Sequence, residues 1–199
     1  MVKSDSWLLQ AIQQNALLYP ALAAQQRVNA FGNKAISAGV TSAGYDLRLS
    51  LQSGLKMITH QQGSEIDPKR FDADKLLIDL ALQYDSEGSP YWLLPPGACV
   101  LGLSTEYFTM PSDIVAVCTG KSTYARCGVI VNTTPVEPGW EGYLVLELIN
   151  ANKHLPVRVY ADEGIAQVVF HELDQTCSVS YAARAGKYHK QQEITAAKL

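Results

Sequence analysis

The chain has few cysteines, no long apolar run and almost no excess of one charge. Its four cysteines, Cys99, Cys118, Cys127 and Cys177, include no Cys-x-x-Cys pair, so reduced and mostly buried thiols are expected. The His-x-Glu and Pro-Cys-x-x-Cys elements that would hold a catalytic zinc are both missing. The histidines His60, His154, His171 and His189 stand isolated, and a transition-metal site is not expected. Any hydrolysis would then use water activated by organic groups alone. No apolar segment approaches the roughly 20 residues of a membrane span, and the opening residues carry no signal-peptide pattern. A cytoplasmic location is the default expectation. Sixteen Lys and Arg against nineteen Asp and Glu give a formal charge of -3, which offers no electrostatic footprint for nucleic acid or an anionic membrane. Any anion must be met locally.

At 199 residues the chain suits one domain, residues 1–199, burying about 70–75% of its unfolded surface. Ser4 or Asp5 can cap a short helix whose stripe is Trp7, Leu8, Ala11 and Ile12 and which ends before Pro20, and a second helical piece is expected over Ala21 to Phe31. Short alternating stretches follow: Tyr45 to Leu51, Gly54 to Ile58, Ala98 to Leu103, Ile114 to Cys118, Val129 to Asn132, Tyr143 to Asn150, Leu155 to Tyr160 and Ile165 to Phe170. Many short strands punctuated by Gly and Pro predict a sandwich or jelly roll. Asp67 to Lys75 and Tyr84 to Pro90 read as solvated loops. The polar tail, about 182–199, is expected to order when it closes over a site, as mobile lids do.

Glu147 is the odd residue of the apolar run Tyr143 to Asn150. On a two-residue period Leu144, Leu146 and Leu148 face a core, and Tyr143, Val145, Glu147 and Ile149 face the other side. An ionised carboxylate among apolar neighbours is costly to desolvate, so Glu147 is a candidate general acid and base. An acid on the wet face of an antiparallel strand is the ordinary alternative. Gly120 to Arg126 places a glycine turn, the hydroxyls of Ser122 and Thr123, and the cations Lys121 and Arg126 after a strand. That combination suits phosphate oxygens, although a polar turn with solvent-facing charges would read the same. Asp46 and Arg48 lie on one strand face, where an internal ion pair would explain them. Val136 to Gly142 reads as a tight turn feeding the Glu147 strand. Gln167 puts an amide in an apolar strand, suited to a base edge or to solvent.

In this order the segments closely resemble the dCTP deaminases of the dUTPase superfamily. Ser42 to Arg48, Gly120 to Arg126, Glu137 to Gly142, Gly164 to Gln167 and Tyr181 to Gln191 are similar to that family's successive motifs, and the resemblance runs from about Ser4 to Gln192. It implies a mainly β fold, a distorted jelly roll of the dUTPase-like β-clip type with short helices, assembled as a homotrimer with sites at subunit interfaces. It implies hydrolysis of dCTP to dUTP and ammonia, feeding dUMP and dTTP synthesis. By the same resemblance Glu147 takes a proton from the attacking water and delivers it to the ring and the departing ammonia. Ser122 and Arg126, reaching in from a neighbour, hold and polarise that water. Substrate contacts fall on Lys121, Ser122, Thr123, Tyr124, Ala125, Arg126, Glu137, Val145, Leu146, Glu147, Gln167, Tyr181, Lys187 and Gln191. Magnesium accompanies the triphosphate, with no zinc.

Glu137 stands where dUTPases place their water-activating aspartate. A bifunctional enzyme that also cleaves dUTP to dUMP and pyrophosphate is therefore the alternative, and a catalytically silent nucleotide-binding regulatory module is the third.

Overall fold

The computed structural model describes residues 1–14, 16–59 and 65–198; His60 lies outside them. Helix α1 (Asp5–Gln13) forms where its stripe requires. Leu8 is fully buried, and Trp7, Ala11 and Ile12 pack against the core. Ser4 stands at the N-cap, but its side chain makes no capping bond.

The expected helix over Ala21 to Phe31 does not form. The chain passes through β1 (Leu18–Tyr19) and β2 (Gln26–Val28) into β3 (Lys34–Thr41). Every residue of β2 is exposed, as is Phe31, so a helix here would have had no apolar stripe to bury. Pairing with β3 satisfies the backbone instead. There follow β4 (Gly44–Arg48), β5 (Lys56–Ile58), α2 (Ala73–Leu76), β6 (Leu77–Asp79), β7 (Leu82–Tyr84) and β8 (Pro90–Leu94). Helix α2 corrects the loop expected over Asp67 to Lys75. Asp72 caps it by accepting the Lys75 N–H at 3.3 Å. The other predicted loop holds between β7 and β8, where the Asp85 carboxylate accepts the N–H groups of Glu87 and Ser89 at 2.9 Å.

The remaining elements are β9 (Cys99–Thr109), β10 (Ile114–Gly120), α3 (Ser122–Arg126), β11 (Val129–Asn132), β12 (Glu141–Asn150), β13 (Val157–Tyr160) and β14 (Gly164–Glu172). One sheet runs β11-β12-β9-β5-β6 with β1 added to β9, a second runs β10-β14-β4-β3-β2, and a small third runs β13-β8-β7. All strand pairs are antiparallel. This is the expected mainly β architecture of packed antiparallel sheets with short helices. The two larger sheets share one core, with Val100, Phe108, Leu146 and Leu148 from the first and Leu47, Ala116, Val168 and Phe170 from the second. Burying each large apolar side chain contributes about 1.5–3 kcal/mol.

Asp46 and Arg48 do not pair with each other. Arg48 donates from Nε to Glu106 at 2.7 Å, and Asp46 pairs with Lys121. Glu106 is fully buried and also accepts from the Tyr45 hydroxyl and the Arg48 N–H. Its charge therefore has several donors, which a lone ion pair along β4 would not supply.

Candidate active site

Strand β12 alternates strictly between half-buried and buried residues along its length. Leu144, Leu146 and Leu148 enter the core, and Val145 and Glu147 point to the opposite face. Gly142 is followed by an irregularity between Tyr143 and Val145. The Leu144 N–H donates there to the Ser104 hydroxyl at 2.9 Å, which in turn donates to the Glu106 carbonyl at 2.7 Å. The bulge is thus satisfied within the sheet, and the strand continues straight through Glu147.

Glu147 lies between Asn132 on β11 and Leu101 on β9 in the Cα register. Glu147 lines a cavity of about 360 Å³ whose wall includes Val145, Trp140, Thr133, Thr134, Pro135 and Glu137. Oε2 is buried and has no hydrogen-bond partner among the described residues. Burial raises the carboxyl above its ordinary range, opposed by its own backbone N–H and the Asn132 side chain. Two thiols feel its charge. Cys118 is pushed up to about 12, mainly by burial, and Cys99 is raised by burial and then by Glu147.

The tail closes the cavity. Tyr181, Tyr188, Gln191, Thr195 and Ala197 complete its wall. Gln191 bridges to Gly142, donates from Nε2 to the Tyr143 carbonyl at 2.9 Å, and accepts the Tyr143 N–H at 2.9 Å. Gly142 (φ +145°) makes this docking possible, because a Cβ there would sit 2.8 Å from the Gln191 nitrogen. The Trp140 indole donates to the Tyr188 carbonyl at 3.0 Å, and the Tyr188 N–H donates to the Tyr181 hydroxyl at 3.1 Å.

The sequence-predicted residues divide between this cavity and a separate surface. Glu137, Val145, Glu147, Tyr181 and Gln191 line it. The Glu137 carboxylate is paired with Arg184. Leu146 turns into the core, 0% exposed, so only its backbone could meet a ligand. Ser122, Thr123, Ala125 and Arg126 are exposed on α3, none of them in the cavity wall. Arg126 Nη1 donates to the Ser122 carbonyl at 3.3 Å. Tyr124 is a core residue whose hydroxyl accepts the Tyr160 N–H at 2.9 Å, so only its backbone could meet a ligand. Lys121 is held by Asp46, whose other donors are Gln25 Nε2 at 2.8 Å and Gln167 Nε2 at 3.3 Å. Lys187 donates to the Lys198 carbonyl at 3.0 Å.

Sequence reasoning missed Asn132, Tyr188, Thr195 and Ala197. The tail residues carry no chemistry to flag them, and Asn132 reads as the polar end of a strand. Among the described residues no three His, Cys, Asp or Glu side chains come together as a metal site. A larger cavity, about 1170 Å³, lies between Gln26 to Phe31, Arg48 to Ser53 and Leu103 to Thr105. It contains none of the predicted site residues, and its Arg48 is already committed to Glu106 and the Pro20 carbonyl. The smaller cavity, with its unpartnered acid, is the better site.

A family model described as dCTP deaminase-like matches residues 3–173. A dCTP deaminase from Chlamydia felis is 45% identical over 195 residues, 98% of this chain and 97% of that protein. One from Chromobacterium violaceum is 43% identical over 194 residues, again 98% and 97%, and one from Methylacidiphilum infernorum is 42% identical over 198 residues, 100% and 99%. The crystal structure of 2'-deoxycytidine 5'-triphosphate deaminase from Agrobacterium tumefaciens superposes with a TM-score of 0.57 at 18% identity, covering 86% of this chain and 47% of that one. That last likeness concerns the fold alone.

Proposed function

From the premise that the chain belongs to the dCTP deaminase-like family, we propose that it deaminates dCTP to dUTP at the cavity around Glu147, with Glu147 as the proton carrier. The observation that carries this reading is the buried, unpartnered Oε2 of Glu147, a residue of that cavity's wall. A buried acceptor without a donor is costly unless a ligand or water meets it. At about 360 Å³ the cavity falls within the usual range for small-molecule sites of about 300–1,000 Å³.

Deamination adds water at C4 of the cytosine ring. The Glu147 carboxylate accepts a proton from that water as the C–O bond forms and returns it to the ring nitrogen. As the tetrahedral centre collapses, a proton from the new hydroxyl passes by way of the carboxyl to the exocyclic amine, the C–N bond breaks, and ammonia leaves. A pKa raised by burial suits such a group, because it must both take and give a proton near neutral pH. The loop Thr133 to Pro135 and the side chain of Val145 flank the position a ring would occupy.

Nothing in the cavity wall supplies a cation, and a developing negative centre needs fixed donors. Ser122 and Arg126, exposed on α3, supply them from a neighbouring copy in a homotrimer. The triphosphate runs out of the cavity toward Thr123 and the cationic side chains, with magnesium held by its phosphate oxygens. Lys121 and Lys187 must then exchange Asp46 and the Lys198 carbonyl for phosphate.

Glu137 lines the same cavity, which keeps cleavage of dUTP as the second reading, but its carboxylate is engaged by Arg184. Product analysis separates the two. With dCTP and Mg²⁺ the expected products are ammonia and dUTP. Accumulation of dUMP and pyrophosphate would favour the bifunctional reading, and no ammonia would favour a silent nucleotide-binding module.

A further inference from the structure

The geometry points to Asn132 as the positioning residue that orients the Glu147 carboxyl for proton transfer. This rests on the proposed role of Glu147.

Strand β11 has only β12 as a neighbour in its sheet, and Asn132 is its last residue, directly opposite Glu147. Directly opposed residues in an antiparallel pair hold their Cβ atoms about 4.5–5.5 Å apart. The burial of β11 alternates, Val129 and Val131 inward and Ile130 and Asn132 outward, so Asn132 and Glu147 share the outer face. The register and the shared face set the Asn132 carboxamide beside the Glu147 carboxyl, whose pKa it lowers against burial, while Oε2 is buried without a partner. The carboxamide is the donor placed to fix the rotation of that carboxyl. Immediately after Asn132 the chain leaves the sheet as the loop Thr133 to Glu137, which walls the cavity.

Asn132 is the side chain that the register sets directly opposite the carboxyl. The titratable groups facing Glu147 are the Cys99 thiol on β9, the Cys118 thiol on β10, the Glu137 carboxylate across the cavity, and the phenols of Tyr181 and Tyr188 from the tail. Burial raises both thiols, and the Glu137 carboxylate is engaged by Arg184. Asn132 is also the only side chain that opposes the effect of burial on Glu147. Its removal raises the proton affinity of the base as well as freeing its rotation.

The test is the pH dependence of kcat/KM for dCTP in the full-length protein with Asn132→Ala, Asn132→Asp and Asn132→Ser. Asn132→Ala is expected to lower kcat roughly tenfold, the value of one hydrogen bond to a charged group, with KM little changed and the acidic limb displaced to higher pH. Asn132→Asp, nearly isosteric but without donors when ionised, moves that limb further because it sets a like charge opposite Glu147. Asn132→Ser keeps a short hydroxyl donor and recovers part of the loss. An unmoved acidic limb in the Ala and Asp variants, with kcat and KM impaired together, would overturn the assignment and leave Asn132 a structural residue. The two claims fail separately. Turnover retained by Glu147→Gln removes the proton carrier itself, whereas an inactive Glu147→Gln beside an Asn132→Ala of unchanged acidic limb removes only the tether.

Discussion

A single acid in an apolar strand was legible because it breaks the period of β12, and the structure gives that break a physical setting. The leucines occupy the core face as the period predicts, and Glu147 occupies the other. Its polar neighbour was not legible, because Asn132 is opposed to Glu147 only by register, at a distance of fifteen residues along the chain. The partners of Asp46 and Arg48 were hidden for the same reason, since Lys121 and Glu106 come from other strands and loops. Burial also has a consequence for stability. The Glu147 carboxyl is raised above its ordinary value in the folded state, so the folded chain binds more protons than the unfolded one between those two values. Stability therefore declines as pH rises through that window. Glu147→Gln should melt above the parent at about pH 8, and the difference should close toward about pH 4, where the acid is protonated in both states. Thermal unfolding measured at both pH values checks this, and a constant difference would deny that the carboxyl is strained by burial.

Most strands were readable from alternation. Segments at β4, β5, β9, β10, β11, β12, β13 and β14 all fall where the pattern places them. β3 and β7 were not. β7 is wholly exposed, and Ala35, Ser37, Ala38 and Gly39 interrupt any alternation in β3, so tertiary pairing makes them strands. The false helix over Ala21 to Phe31 arose from residues that tolerate a helix but have nothing to bury in it. Close approach between β3 and β14 yields a test at this scale. A Cβ on Gly164 would stand 2.0 Å from the Ser37 carbonyl oxygen, and backbone cannot yield as a flexible side chain can. Gly164→Ala should cost about 1–3 kcal/mol or more, the range for overpacking, read as a lowered midpoint in urea. An unchanged midpoint would mean that the two strands part without cost.

For the molecule as a whole, the division of predicted residues is the main result. One group lines the Glu147 cavity, and the α3 group, with Ser122 and Arg126, faces outward elsewhere. The proposed site shared between copies would account for both. Mixing Glu147→Gln and Arg126→Ala chains under subunit exchange should restore about a quarter of the parental activity, because in a cyclic trimer that fraction of interfaces joins an intact Glu147 to an intact Arg126. No recovery, with exchange shown by mass, would place both groups in one chain's site. The central claim, that this fold deaminates dCTP through Glu147, is tested most directly by ammonia release from dCTP with the parent and with Glu147→Gln, alongside nucleotide binding. The account predicts release by the parent, a loss of about 10²-fold or more in the variant, as expected for a general acid and base, and nucleotide affinity largely kept. Ammonia release by Glu147→Gln at the parental rate would contradict it.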